Sequence, residues 1–466
     1  MTDHVATHDD TPGERQTEQS ILKVATISLI GTSIEWYDFF LYGVAAAIVF
    51  PQVFFAGDLP PLVALFAAFA TFAVGFVARP VGGVIFGHFG DKLGRKGTLV
   101  TALVMMGSAT ALIGLLPTYA AAGAWAPAML IVLRFVQGLA IGGQWGGAML
   151  LATESAPPHR RGFYGSFAQA GAPLGVVLAN LALLAMSSNL SNEAFMDWGW
   201  RVPFLLSVIL VGVALYVQLR LEETATFRRL RDLSEARAAA KALEGAGDAN
   251  QDARRARRSP VLMVLASHPK QIALAAGAFI AVQVAFYILI AFVVAYGANR
   301  QGLSVPRDTM LAAVLVGALA MTPAVFLSGA ISDRFGRRRI FMAGAALLGL
   351  WAFAIFPLID TGQFLWIAVA IGVAQVFVGM MYGPQAALFA ELFSTEVRYS
   401  GASLGYQVGA ILGGALSPLI ATALLAEFGT GFAISIYIAI ASAISLLSVA
   451  LLKETYRRNL HDEAPS

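Results

Sequence analysis

The sequence predicts an all-α integral membrane protein, with twelve transmembrane helices arranged as two pseudo-symmetric six-helix bundles. Three observations carry this. Hydrophobic residues make up 58% of the 466-residue chain and charged residues only 13%, against about a quarter charged in soluble domains. The apolar residues fall into long stretches. A glycine-rich charged pattern also occurs twice: Gly87-His-Phe-Gly-Asp91-Lys-Leu-Gly94-Arg95-Lys96 and Gly329-Ala-Ile-Ser-Asp333-Arg-Phe-Gly336-Arg337-Arg338, 242 residues apart. Each copy lies between two apolar stretches, which implies a duplicated transmembrane unit. Transporters built from two related bundles hold their substrate between them.

A spanning helix needs about 20 mostly apolar residues. By that measure spans are expected at about 21–50, 62–86, 98–116, 126–152, 163–186 and 200–220. Six more are expected at about 271–297, 309–331, 340–358, 363–392, 400–425 and 430–452. These divide the chain into a polar N-terminal tail (1–20), a first bundle (21–220), a linker (221–270), a second bundle (271–453) and a tail (454–466). The tail 1–20 lacks the basic-then-apolar pattern of a cleaved signal, and the stretch after it is too long for a signal core.

Lys and Arg in short loops set orientation. Lys92, Arg95, Lys96, Arg160, Arg161, the linker, Arg334 to Arg339, Arg398 and Lys453 to Arg458 fall on one side. Arg201, Arg300 and Arg307 fall on the other. The first side is therefore expected in the cytoplasm, with both termini. In the linker, 230–243 has the spacing of an amphipathic helix and is followed by Arg254-Arg-Ala-Arg-Arg258. The simple reading is a segment lying near anionic headgroups. The alternative is a regulatory site.

Composition also excludes classes. The net charge of +3 arises at loop ends, where topology explains it, so nucleic acid is not an expected partner. There is no cysteine, hence no disulfide or thiolate site. No phosphate-binding G-x-x-x-x-G-K-[ST] loop, H-E-x-x-H or G-x-S-x-G pattern is found. Neither an ATP-driven pump nor an enzyme is expected, and no cofactor or metal.

Charge inside a membrane helix costs about 2.5–3.5 kcal/mol per residue on insertion scales. Four such residues stand out: Glu35, Asp38, Arg79 and Arg134. Glu35 and Asp38 are three apart and share one helix face. Two close carboxyls in a low dielectric cannot both ionise easily, as a proton carrier requires. The alternative is a fixed ion pair with Arg134 or Arg79. Tyr37 and Tyr42 add polar tips beside them. Arg79 precedes Pro80 and Gly82-Gly83, and Arg134 precedes Gln137-Gly138 and then Gly142-Gly-Gln144-Trp145-Gly-Gly147. Each guanidinium suits a substrate carboxylate, which it can hold with two parallel hydrogen bonds, or a structural pairing. Gln144 and Trp145 fit ligand contact, and the glycines fit tight helix packing. The second half is nearly free of membrane charge. Its polar candidates are Gln283, Tyr287, Gln375, Tyr382, Tyr406 and Gln407, as substrate-lining groups or interhelical bonds.

The repeated loops suggest gating. A carboxylate such as Asp91 or Asp333, among Arg95 and Arg337, can accept hydrogen bonds from a neighbouring helix N-terminus. Such contacts close a mouth in one state and break in another. Glu154 precedes Arg161 by seven residues, and Glu391 precedes Arg398 by seven, at matching junctions of the two halves.

The repeated loop resembles the inter-helix motif of the major facilitator superfamily. Glu35-Trp-Tyr-Asp38-Phe with Tyr42-Gly43, Arg79-Pro-Val-Gly-Gly83, Arg134-Phe-Val-Gln-Gly138, Trp200-Arg-Val-Pro-Phe204 and Val397-Arg-Tyr-Ser-Gly-Ala-Ser-Leu-Gly-Tyr-Gln407 resemble its metabolite:proton symporter family. Gly143-Gln-Trp-Gly-Gly-Ala148 and Thr153-Glu-Ser-Ala-Pro157 are most similar to the shikimate-type branch. The resemblance implies the major facilitator fold, alternating access and proton-driven uptake across a bacterial inner membrane. It implies coupling at Glu35 and Asp38, and substrate-carboxylate binding at Arg79, Arg134 and Arg201. Many relatives have Glu where this chain has Gln144, which removes one proton site. Gly171-Ala-Pro-Leu-Gly175 resembles an antiporter motif, so efflux is the rival direction. The expected partners are a lipid bilayer, protons and a small organic anion, with the monomer as the working unit. A shikimate-like monocarboxylate ranks first and a dicarboxylate second. A zwitterionic osmolyte is third, because the chain ends soon after Arg458.

Overall fold

The structure, a computed structural model, describes residues 12–142, 153, 156–222, 268–299, 305–393 and 398–456. Side chains at 12–21, 87–99 and 217–222, with a few single ones, are outside that description. The linker's amphipathic segment, Gln144, Trp145 and Glu154 also lie outside the described residues, as do the side chains of Asp91 and Arg95.

The described chain is helical. In the first half the helices are α1 (Pro12–Ile48), α2 (Pro61–Leu115), α3 (Trp125–Gly142), α4 (Arg161–Asn189) and α5 (Arg201–Glu222). In the second half they are α6 (Pro269–Tyr287), α7 (Val293–Asn299), α8 (Arg307–Phe335), α9 (Arg337–Ile359), α10 (Phe364–Leu392), α11 (Arg398–Gly409), α12 (Ser417–Phe428) and α13 (Phe432–Leu451). Among the described residues nine helices are long and apolar enough to cross a membrane. Asn192–Gly199 with Arg201–Tyr216, bent by 45°, makes a tenth. The first span, in α1, and the leg Val100–Leu115 complete the twelve.

One region differs from the sequence expectation. The polar stretch 87–97 reads as a loop between two spans, yet the backbone is helical from Pro61 to Leu115. The two ends of that stretch nevertheless lie together. Phe86 packs with Ala102 and Met106, residues that a straight helix would hold about 24–30 Å apart at 1.5 Å per residue. The chain therefore doubles back within this helical stretch and presents two legs.

Packing follows the duplication. The first leg of α2 lies on α3, as α8 lies on α10; α1 packs on α4, and α6 on α11 and α13. The halves meet along two seams, α4 against α8 and α10, and α2 against residues 410–415. The span that includes α6 and α7 is the most enclosed: 94% of its most apolar stretch is buried, against 39% for α9. Its uninterrupted apolar sequence is what a helix surrounded on all sides needs. Large apolar side chains such as Val84, Val208, Ile209, Leu327 and Leu350 are exposed instead, which suits a hydrocarbon surrounding.

Besides Phe195–Gly199 before α5, two wide π-type turns were not legible in the sequence, Ile288–Phe292 after α6 and Ala410–Ala415 after α11. The second packs against the residue that precedes the first. The first follows Tyr287 directly, and a Cβ on Gly414 in the second would come within 2.8 Å of the Tyr287 ring. Such turns widen a helix locally and recur at functional sites.

Candidate functional site

At the middle of the first bundle two arginines are buried side by side among rings. Arg79 is 1% exposed and Arg134 is fully buried. The Arg79 guanidinium carbon lies 4.3 Å from the Phe39 ring centroid, 4.4 Å from Phe76 and 5.6 Å from Trp36. Arg134 lies 4.1 Å from Phe39, 4.1 Å from Tyr42 and 4.6 Å from Phe72. Residues 72, 76 and 79 fall on one face of α2 at i, i+4 and i+7, so local helix geometry builds half of this box.

Their polar partners differ. Arg134 donates from Nη1 to Gln137 Oε1 at 3.0 Å and from Nε to the Phe72 carbonyl at 3.4 Å. None of the Arg79 nitrogens has a hydrogen bond among the described residues. The Tyr287 hydroxyl lies near it. Neither arginine forms an ion pair with Glu35 or Asp38. α3 reaches this close to α2 because it is glycine at the contact: a Cβ on Gly142 would stand 1.9 Å from the Arg79 carbonyl oxygen. The glycine run after Arg134 thus serves packing, as far as it is described.

Glu35 and Asp38 part company. Asp38 is fully buried between α1, α5 and the second leg of α2, and accepts a 2.6 Å hydrogen bond from Ser207 Oγ. Its Oδ2 has no hydrogen-bond partner among the described residues. Glu35 is only partly buried and shares none of these contacts. Gln137 Nε2 donates to Thr110 Oγ1 at 2.7 Å. Tyr37 donates to the Pro203 carbonyl at 2.6 Å, and Tyr42 to Thr71 Oγ1 at 2.7 Å. Both hydroxyls are thus engaged inside the first bundle. Arg201 stands apart from the cluster, donating to the carbonyls of Gly114 and Leu116 at 2.8 and 2.7 Å. It caps the end of the second leg of α2.

Between the bundles lies a small cavity of about 10 Å³, room for roughly one water. Trp36 and Phe40 line it from the first half, and Gln283, Tyr287, Tyr382 and Tyr406 from the second. Tyr406 and Tyr382 flank the Phe279 ring, at 4.4 and 6.4 Å between centroids. Arg79 lies behind the Trp36 and Tyr287 rings of this wall. Gln283 Nε2, Gln407 Oε1 and both amide atoms of Gln375 are buried without a hydrogen bond among the described residues. Buried polar atoms are nearly always paired in a native interior, so the unpaired Gln283 amide nitrogen on the cavity wall marks it as a place for a polar ligand; Gln375 and Gln407 do not line it.

Both ends of the α4–α8 seam are joined. At one end Asp333 accepts hydrogen bonds from the backbone N–H of Gly162 and Phe163 at 2.9 Å each. These are orphan donors of the first turn of α4. Glycine is required here: a Cβ on Gly162 would stand 2.4 Å from the Gly329 carbonyl oxygen. Arg337 donates to Asp333 at 2.6 Å, to Ser332 at 2.8 Å and to Glu391 at 3.3 Å. Thr455 donates to Glu391 at 2.8 Å. Arg161 and Arg398 are buried in the same region. At the other end Arg307 donates to Ser187 at 2.8 Å and to Asn192 at 3.2 Å, and stacks 3.9 Å from the Phe195 centroid. Ser187 in turn bonds Asp308. The sequence marked Arg307 only as a topology charge; its place as a bridge between bundles needed the fold.

Residues 24–463 match the sugar (and other) transporter family. The chain belongs to that family, within the major facilitator superfamily. It is a multi-pass membrane transporter and not an enzyme. It is 41% identical over 94% of its length to the inner membrane metabolite transport protein YhjE of Escherichia coli, covering 95% of that protein. It is 40% identical over 93% of its length to the shikimate transporter of the same organism, again covering 95%. The proton:xylose symporter XylE, solved with 6-bromo-6-deoxy-D-glucose, superposes with a TM-score of 0.70 at 16% identity, over 96% of this transporter and 98% of that chain. At that identity the last likeness concerns the fold alone.

Proposed function

We propose that this transporter is a proton-coupled symporter that accumulates a small hydroxylated organic acid of the shikimate type by alternating access. The observation that carries the reading is Arg79, a buried guanidinium with no hydrogen bond and no counter-ion among the described residues. Isolated charge in a low dielectric costs several kcal/mol. Ring faces offset part of this, at about 2 kcal/mol for a desolvated cation–π contact. A carboxylate arriving from the cavity side supplies the remainder through two parallel charge-assisted hydrogen bonds. Gln283, Tyr382 and Tyr406 on the opposite wall suit hydroxyl or keto groups at the other end of the same small molecule. The 40% identity to a shikimate transporter supports that substrate class.

Asp38 is the proton carrier in this reading. Its carboxyl is fully buried, is held by a neutral hydroxyl and has one oxygen without a hydrogen bond among the described residues. Ionised, it would be a buried anion; protonated, it is tolerated where it lies. The seam contacts act as gates. Asp333, Arg337, Glu391, Arg161 and Arg398 close the end that the loop charges assign to the cytoplasm, with Asp91, Arg95 and Glu154 as the matching residues of the first half. Arg307 and Ser187 close the outer end.

The test is uptake into proteoliposomes of labelled shikimate, an aromatic acid, α-ketoglutarate, citrate and betaine, with an inward proton gradient and with the gradient collapsed. Gradient-dependent accumulation of a monocarboxylate is expected. Asp38→Asn should abolish it while exchange persists. Equal entry with and without the gradient would refute symport, and expulsion against the gradient would make the protein an antiporter.

A further inference from the structure

We infer that a hole at one end of α8 and α9 is a site for the phosphate of an anionic membrane phospholipid, held by Arg334, Arg338 and Arg339. The inference goes beyond the transport reading and does not depend on it. The hole has a volume of about 340 Å³ and lies between the end of α8, the start of α9 and the chain that follows α13. Its loop charges assign this end to the cytoplasm. The three arginines line it, together with Phe335, Met342 and Glu454. The turn at Gly336, with φ of +99°, carries the chain from α8 into α9. Arg334 and Arg338 stand two residues to either side of that turn and share one opening.

Charge is the first indication of the ligand. Arg338 is half-buried and fixed in place: Nε donates to the Val449 carbonyl at 3.0 Å and Nη2 to the Ala450 carbonyl at 2.5 Å. Its Nη1 has no hydrogen bond among the described residues. Arg334 and Arg339 are exposed and make no hydrogen bond or ion pair among the described residues. Glu454 is a carboxylate on the same wall, but it is engaged elsewhere. Its Oε1 accepts from the backbone N–H of Arg337 at 3.0 Å and of Thr455 at 3.1 Å, and its Oε2 from that of Arg338 at 3.2 Å. It caps orphan donors in the first turn of α9, so the balance of the hole stays positive. A phosphate answers that balance, because its oxygens match the guanidinium fork.

The flanks of the hole tie the phosphate to a lipid. Three rows of exposed apolar side chains run toward it. On α8, Leu327, Ile331 and Phe335 recur at i, i+4 and i+8, and Phe335 is itself part of the wall. On α9, the exposed Ala346 and Leu350 share the face of Arg339, seven and eleven residues further on. On α13, Ile440, Ile444, Leu447 and Leu451 form a third row, which stops three residues before Glu454. Rows of this kind face hydrocarbon, so acyl chains lie along them while their headgroup meets the guanidiniums. Basic pockets at the cytoplasmic ends of membrane helices suit anionic headgroups. Charge that only sets topology needs neither a shared hole nor an apolar wall. The site borders the inner clasp without using it. Asp333 and Arg337 alternate with Arg334 and Arg338, and they turn instead to Gly162, Phe163 and Glu391.

The test uses the delipidated full-length transporter in detergent and measures bound lipid by native mass spectrometry. The probes are phosphatidylglycerol, phosphatidylcholine and glycerol phosphate. The native chain should retain phosphatidylglycerol in preference to phosphatidylcholine. Arg334→Gln and Arg339→Gln should each weaken that retention about tenfold, the scale of one hydrogen bond to a charged group, and the double variant should lose more. Lys270→Gln removes a like charge at the start of α6, outside the hole, and should leave retention unchanged. The two single variants decide the matter if the double variant does not fold. Equal retention of the two lipids by the native chain overturns the site, and so does native-like retention by both single variants. A loss at Lys270→Gln as large as at Arg334→Gln also overturns it, because general surface charge then suffices. Displacement of phosphatidylglycerol by an equal concentration of glycerol phosphate would make the occupant a free phosphate and overturn the lipid assignment.

Discussion

Arg337 and Arg79 are both buried arginines in a membrane bundle, and their surroundings are opposite. Arg337 is clasped by two carboxylates, Asp333 at 2.6 Å and Glu391 at 3.3 Å, and by the Ser332 hydroxyl. Arg79 has rings around it and no hydrogen bond among the described residues. The contrast separates two uses of the same side chain. A guanidinium whose charge is answered by its own protein is a strut, and breaking its pair leaves a bare charge behind. A guanidinium held by π faces alone is supported without being neutralised, so it keeps its affinity for an anion from outside.

The sharpest way to break this contrast is to delete one partner at each place. Glu391→Gln should destabilise the protein by about 3–5 kcal/mol, the cost of stranding a buried partner. A detergent-solubilised melting curve reads it, and an unchanged midpoint would remove Arg337 from the class of struts. Arg79→Gln should weaken substrate binding by about 3 kcal/mol, roughly a hundredfold, since charge-assisted hydrogen bonds are lost. The same substitution should raise the midpoint of the substrate-free protein, because a buried unpaired charge is removed. Destabilisation by Arg79→Gln as large as that from Glu391→Gln would erase the distinction. Arg134→Lys should cost about tenfold in affinity, a point charge replacing a planar fork, read by direct binding. The smallest effect is expected at the neutral wall. Gln283→Leu should cost hydroxylated substrates about 1 kcal/mol and leave a deoxy analogue unaffected in competition assays.

The central arginines and Asp38 were legible in the sequence because charge is rare inside apolar helices and each instance demands a reason. The transporter family was legible from the doubled Gly-Asp-Arg loop and the motifs around residues 35, 79, 134 and 397. Other parts were hidden for physical reasons. Thr110 and Ser207 are hydroxyls in membrane helices, where such residues commonly bond their own backbone, as Thr110 does to Met106. Phe39, Phe72 and Phe76 read as ordinary apolar side chains until two guanidiniums are laid against them; the i, i+4, i+7 series ending at Arg79 is the signal that was there to find. Arg201 carried the same family motif as a substrate candidate, yet its Nη1 is taken by the carbonyls of Gly114 and Leu116. Thr455 follows the last span and is tied to Glu391 across the fold, a contact that local composition does not announce.

Sequence by itself determined the spans, the duplication and the roster of costly residues. Those follow from transfer free energies and periodicity, which act locally along the chain. Only tertiary structure decided which costly residues find each other. It set Asp38 beside Ser207 and away from the arginines' direct reach, paired Arg337 and left Arg79 open. It also joined the two halves at both ends of the α4–α8 seam. Pairing of buried charge is a matter of a few ångströms between helices far apart in sequence. Those distances depend on glycine contacts such as Gly142 on Arg79 and Gly162 on Gly329, whose effect exists only once the helices are side by side.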